Sequence, residues 1–144
     1  MSVKVSTRGR YGLRAMVDLA MAGSDDKCIS LKSVAERQGI SEHYLEQLIL
    51  PLKKAGIVSS MRGAQGGYKL ARAAEAITVG EILRALEGSL APVDCIAEGD
   101  ASCGNASCDC CPTKQVWGRI YDSLNDVVDS ISLNDLVTDA ARIE

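Results

Sequence analysis

The sequence has one histidine, three prolines and no apolar run approaching the ~20 residues of a membrane span. A catalytic histidine needs an orienting partner or a nucleophile beside it, and the sequence offers His43 neither, so no enzyme activity is expected. The stretch Met1 to Arg14 is polar and basic and lacks the apolar segment of a secretory signal. The expectation is a soluble cytoplasmic protein with no membrane partner. Internal repeats and low-complexity tracts are also lacking. An apolar content of 47% in 144 residues suffices for one ordinary core, so disulfides are not needed to hold it.

Charge of one sign is scarce in each half. Residues 1–72 hold 12 Lys/Arg against 6 Asp/Glu, a charge of +6, and residues 73–144 hold 4 against 13, a charge of −9. A basic first half suggests a polyanion as its partner, and an acidic second half does not.

Apolar spacing predicts a first helix over 8–22, ended by the turn cluster Gly23 to Asp26. Ser30 caps a short second helix with Leu31, Val34 and Ala35 inward, and Gly39 stops it. Ser41 caps a third helix with Leu45, Leu48, Ile49 and Leu52 inward, and Pro51 predicts a kink or break near Leu50. Residues 57–62 and 68–70 read as two strands around the flexible turn Gly63 to Gly67. Thr78 and Glu81 form a capping box that opens a helix closed by Gly88. Residues 89–112 read as a long loop without periodicity. Thr113 then caps a long helix with the stripe Val116, Ile120, Leu124, Val127, Val128 and Ile131, and Ser132 starts a last helix.

Three short helices followed by a glycine-tipped hairpin describe a winged helix-turn-helix. The fold class expected is mainly α, with a small β-hairpin wing and a long C-terminal dimerisation helix. The third helix would lie in a major groove with Glu42, His43, Glu46 and Gln47 outward and Tyr44 at the flank. Backbone N–H groups at Ser41 suit a phosphate. Gln47 suits adenine, His43 a purine acceptor and Glu46 the amino group of cytosine. Arg62 suits a minor-groove edge or a phosphate, and Gly66 and Gly67 would let the wing come close to the duplex. The bland alternative is a plain three-helix core with a surface hairpin.

Five of the six cysteines crowd into one stretch: Cys95, Cys103, Cys108, Cys110 and Cys111. In a reducing compartment such crowding points to metal, an iron–sulfur cluster or thiol redox chemistry rather than structural disulfides. Zinc accepts four thiolates, but Cys110 and Cys111 are adjacent and paired C-x-x-C knuckles are missing. Cys108, Cys110 and Cys111 could also pair on oxidation. Spacing alone leaves these choices open. Cys28, by contrast, reads as a small, partly buried residue.

Three segments, Ser6 to Met16, Ala35 to Leu48 and Val58 to Leu70, resemble the Rrf-two family of bacterial regulators, as do the helix Ile77 to Leu86 and Trp117. The resemblance spans nearly the whole chain. It implies a homodimer on a double-stranded DNA operator, with Arg8 of the opening motif joining Ser41, His43, Tyr44, Glu46, Gln47, Arg62, Gly66 and Gly67 at the DNA. It divides the chain into a DNA-binding domain over 1–88, a cysteine-rich sensing loop over 89–112, and dimerisation and C-terminal helices over 113–144. Members of the IscR, NsrR and RirA type imply an iron–sulfur cluster, 2Fe–2S in kind, on Cys95, Cys103 and Cys111, with Cys108 or Cys110, a carboxylate or a side chain of the other protomer as fourth ligand, and zinc as the alternative. Lys114 departs from that pattern, standing where a histidine is common. The head also resembles the cluster-free CymR type, which implies control of cysteine and sulfur metabolism and cysteine synthase as a partner, although that type lacks the cysteine loop. A zinc-stabilised adaptor that binds protein is the reading outside DNA regulation.

Overall fold

A computed structural model describes residues 5–23, 27–64, 66–92 and 112–143. The elements are α1 (Thr7–Ala22), α2 (Leu31–Gln38), α3 (Glu42–Lys54), β1 (Val58–Met61), β2 (Gly67–Leu70), a short 3-10 turn (Ala74–Ala76), α4 (Val79–Glu87), α5 (Lys114–Ser130) and α6 (Leu133–Ile143). The mainly α, winged architecture expected from the sequence is present. The expected turn residues 24–26, Gln65 at the wing tip and all five clustered cysteines lie outside the described residues.

Side-chain caps set where the first helices begin. Ser6 accepts from the Gly9 amide at 3.3 Å, Ser30 from Ser33 at 3.2 Å and Ser41 from Tyr44 at 3.1 Å. Each satisfies an amide that the first turn leaves without a carbonyl. Gly39, with φ 67°, turns the chain from α2 into α3. The predicted capping box is complete, with Thr78 N–H donating to Glu81 Oε2 at 3.0 Å and Glu81 N–H donating to Thr78 Oγ1 at 3.1 Å. Thr113 does precede α5, but it is in the αR region and its side chain makes no capping bond, contrary to expectation.

The main core joins Met16 and Leu19 of α1 to Leu45, Leu48 and Leu52 of α3, Ile82 and Leu86 of α4, and Leu133. α1 and α4 approach so closely that a Cβ at Gly12 would overlap the Leu86 side chain. α6 enters this core through Leu133, whose N–H donates to Ile77 O at 2.8 Å, while Val79 N–H donates to Ile131 O at 2.9 Å. The start of α6 thus packs with the first-half helices. A smaller apolar cluster, Val79, Leu83 and Val128, seats α5 on α4.

The helix is not broken at Pro51: α3 runs on to Lys54. Proline removes the N–H that would reach the carbonyl of Gln47. Gln47 is on the exposed side of α3, where water can take that carbonyl, while Leu48, Ile49 and Leu52 hold the opposite face in the core.

Candidate nucleic-acid interface

α1 and α2 hold α3 from behind. Arg37 of α2 grips Asp18 of α1 through Nε to Oδ1 and Oδ2, both at 3.0 Å, and Nη2 to Oδ1 at 2.6 Å. Gln38 Nε2 adds a bond to Asp18 Oδ2 at 2.8 Å. The Asp18 side chain is 7% exposed, so these donors replace the water it lost. The hydrogen bond to Asp18 raises the Arg37 pKa above its ordinary value. Tyr44 turns inward, its ring edge-to-face with Tyr11 at 6.2 Å and 84°, and Arg14 stands over the Tyr11 ring at 5.4 Å. Tyr44 is therefore a half-buried brace between α3 and α1.

Glu42, His43, Glu46, Gln47 and Leu50 are all exposed on α3, continuing into Lys53 and Lys54 at its end. Because the helix is not broken near Leu50, the outward face runs on for a further turn, to Lys54. Leu50, Lys53 and Lys54 were missed for that reason. Their signal was an i, i+3, i+4, i+7, i+10, i+11 series from His43, which a proline break would have interrupted. Gln47 Nε2 lies 3.2 Å from His43 Nε2. An amide nitrogen only donates, so with the amide in this orientation His43 Nε2 accepts and the ring proton is on Nδ1.

The wing stands beside α3. β1 and β2 pair antiparallel, Ser59 opposite Lys69 and Met61 opposite Gly67. Ile29 adds a two-bond bridge to Tyr68, with Ile29 N–H to Tyr68 O and Tyr68 N–H to Ile29 O both at 2.8 Å. That bridge accounts for glycine at 67, where φ is 153° and a Cβ would meet Ile29 O at 2.5 Å. A Cβ at Gly66 would overlap the Met61 carbonyl and lie 2.9 Å from Gly63 O. Both glycines have reasons within the chain itself. Arg62 and Met61 are exposed where β1 enters the tip. Arg8 is exposed on the first turn of α1, in a surface depression shared with Glu87, Ser89 and Pro92 at the start of the segment leading to the cysteines. Cys28 is half-buried just before the Ile29 bridge.

On α5, Val116, Ile120 and Val127 are 50%, 39% and 56% exposed, while Leu124 and Ile131 pack inward with Val128. The predicted stripe therefore has two sides, one on α4 and one uncovered. Among the described residues no helix is long and apolar enough to cross a membrane.

The model of a family of iron-dependent transcriptional regulators, Rrf2, matches residues 5–139. CymR of Bacillus subtilis is 43% identical over 136 residues, covering 94% of this chain and 91% of that one. Its solved structure, described as the global cysteine regulator of that organism, aligns with a TM-score of 0.75 at 45% identity, over 94% of this chain and 96% of the other. The solved IscR of T. potens aligns with a TM-score of 0.74 at 51% identity, over 95% and 88%. IscR of Vibrio parahaemolyticus is 37% identical over 142 residues, covering 99% of this chain and 82% of that protein.

Proposed function

From the premise that this chain belongs to the Rrf2 family of transcriptional regulators, we propose that it works as a homodimer reading a two-fold operator with α3 and the wing. The observation that carries this is the unbroken outer row of α3, His43, Glu46, Gln47 and Leu50, beside the exposed Arg62. Hydrogen-bonding side chains on one helix face match base edges in a major groove, and Arg62 supplies the charge for a phosphate or a minor groove. The uncovered side of α5 is the surface for the second protomer. Duplexes enriched from a random pool at low salt test the reading. Binding to them should weaken steeply as salt rises, and Arg62→Ala and Gln47→Ala should each cost about 1–3 kcal/mol. Failure to enrich any sequence sinks it.

The signal sensed is proposed to be iron–sulfur status, iron or nitric oxide, read through a cluster on Cys95, Cys103 and Cys111 with Cys108 or Cys110 completing the set. The donor set fits such a group: five thiols, soft once ionised, stand within 17 residues, from 95 to 111. Lys114, the first residue of α5, cannot ligate while charged, and Cys108 or Cys110 is proposed as the fourth ligand in its place. When bound, the cluster supplies a redox- and nitric-oxide-sensitive group. The chain's own part is to carry those thiols on the segment joining α4 to α5.

The close likeness to CymR favours a second reading, a regulator of cysteine and sulfur metabolism without a cluster, with cysteine synthase as partner; a thiol or zinc switch at the cysteines is a separate alternative. Anaerobic purification with metal analysis separates the two. Iron, sulfide and visible absorbance support the cluster. Colourless, iron-free protein after anaerobic reconstitution supports the second reading.

A further inference from the structure

Gln47 and His43 stand one turn apart on the exposed side of α3, and their side chains bond to each other at 3.2 Å. A glutamine amide alone on a helix surface rotates about a broad terminal torsion, and its oxygen and nitrogen exchange places easily. Here one N–H is held by His43 Nε2. With the ring protonated on Nδ1, reversing the amide would set Gln47 Oε1 against the lone pair of that nitrogen, acceptor against acceptor. In that tautomer the bond leaves free one carbonyl oxygen and one N–H. That acceptor and donor match the N6 amino group and N7 of adenine, the one base edge in the major groove with this pair.

We propose that His43, protonated on Nδ1, is a positioning residue for Gln47, orienting its amide to read adenine, and does not read a base of its own. The inference rests on α3 being the recognition helix. An exposed helix pair of this kind contributes only about 0.2–0.5 kcal/mol to the helix itself. Its effect therefore shows in base preference and not in folding.

The test uses the full-length protein and duplexes enriched from a random pool, each base pair of the enriched site then being replaced in turn. The wild type should prefer adenine at one position of each half-site by about tenfold or more. Gln47→Ala and His43→Leu should flatten that same position, and the double variant should do no worse there than Gln47→Ala alone. His43→Asn, which returns an acceptor four residues before Gln47, should restore the preference. The proposal is overturned if His43→Leu leaves the adenine preference intact, removes preference at a different base pair, or adds its loss to that of Gln47→Ala. It is also overturned if Gln47→Ala moves nothing. If the wild type enriches a site and only the His43 results fail, the recognition-helix reading survives. If the wild type enriches no sequence, both readings fall.

Discussion

Arg84 on α4 holds Asp129 on α5 with two parallel hydrogen bonds, Nη1 to Oδ1 at 2.7 Å and Nη2 to Oδ2 at 2.9 Å. Nη2 also donates to Asn125 Oδ1 at 2.7 Å. A Cβ at Gly80 would overlap Asp129 Oδ1 and lie 2.7 Å from Arg84 Nη1, so glycine there makes room for the pair. This clamp fastens the long helix to the DNA-reading half one turn before the chain departs toward the cysteines.

The hydrogen bond from Arg84 holds the Asp129 carboxyl below its ordinary pKa. A carboxyl depressed in the folded state contributes stability that is fully present above its unfolded pKa and is lost as pH falls through the folded one. The two side chains are 37% and 47% exposed, so solvent and salt screen the pair. Asp129→Asn should therefore cost about 1 kcal/mol or less at neutral pH. Urea unfolding at a series of pH values should show the gap between wild type and variant closing as the carboxyl becomes protonated in acid. A gap that widens in acid would contradict the assigned sign.

Two wing glycines separate backbone strain from steric overlap. Gly63 has φ 112° with nothing within 4 Å of where a Cβ would stand, whereas Gly67 has φ 153° and the Ile29 backbone at 2.5 Å. Gly63→Ala should cost about 1 kcal/mol from its dihedral alone. Gly67→Ala should cost more, about 1–3 kcal/mol, because the Ile29 bridge must move as well. Thermal unfolding of the two variants side by side checks the order.

The uncovered side of α5 predicts a selective loss of assembly. Val127→Glu puts a charge where a second copy would pack, on a residue already 56% exposed in the single chain. Sedimentation should shift to the monomer while far-ultraviolet circular dichroism keeps its helical signal. An unchanged sedimentation coefficient would place the dimer contact elsewhere.

The cysteine segment predicts a coloured protein. Anaerobically prepared wild type should absorb in the visible, and Cys95→Ala should lose that absorbance along with its iron. Stoichiometric zinc in a colourless protein would identify the thiolate set as a zinc site instead.

Much of the fold was legible because local chemistry announced it: Ser30 and Ser41 as caps, Gly39 as the turn, Thr78 and Glu81 as a reciprocal box. Pro51 misled, because propensity counts the lost hydrogen bond and not the packing of Leu48, Ile49 and Leu52 that keeps the helix whole. Thr113 misled because a threonine before a helix caps it only from extended backbone. Tyr44, expected at the flank of the reading face, packs its ring on Tyr11, a partner more than thirty residues away that no local pattern reveals. Gly66 and Gly67 were legible as part of a flexible turn, but their reasons, the hairpin's own carbonyls for Gly66 and the Ile29 backbone for Gly67, are a turn-level and a long-range contact. The bond between His43 and Gln47 follows from their spacing of four, and the histidine tautomer sets which atom donates.

The most direct test is the mass of the complex formed on an enriched operator duplex, measured by sedimentation at low salt. A two-fold reader built on α3 and α5 predicts at least two protomers per duplex, with half of the site binding far more weakly than the whole. One protomer per duplex, or no complex on any duplex in either the metal-free or the metal-loaded form, would contradict it.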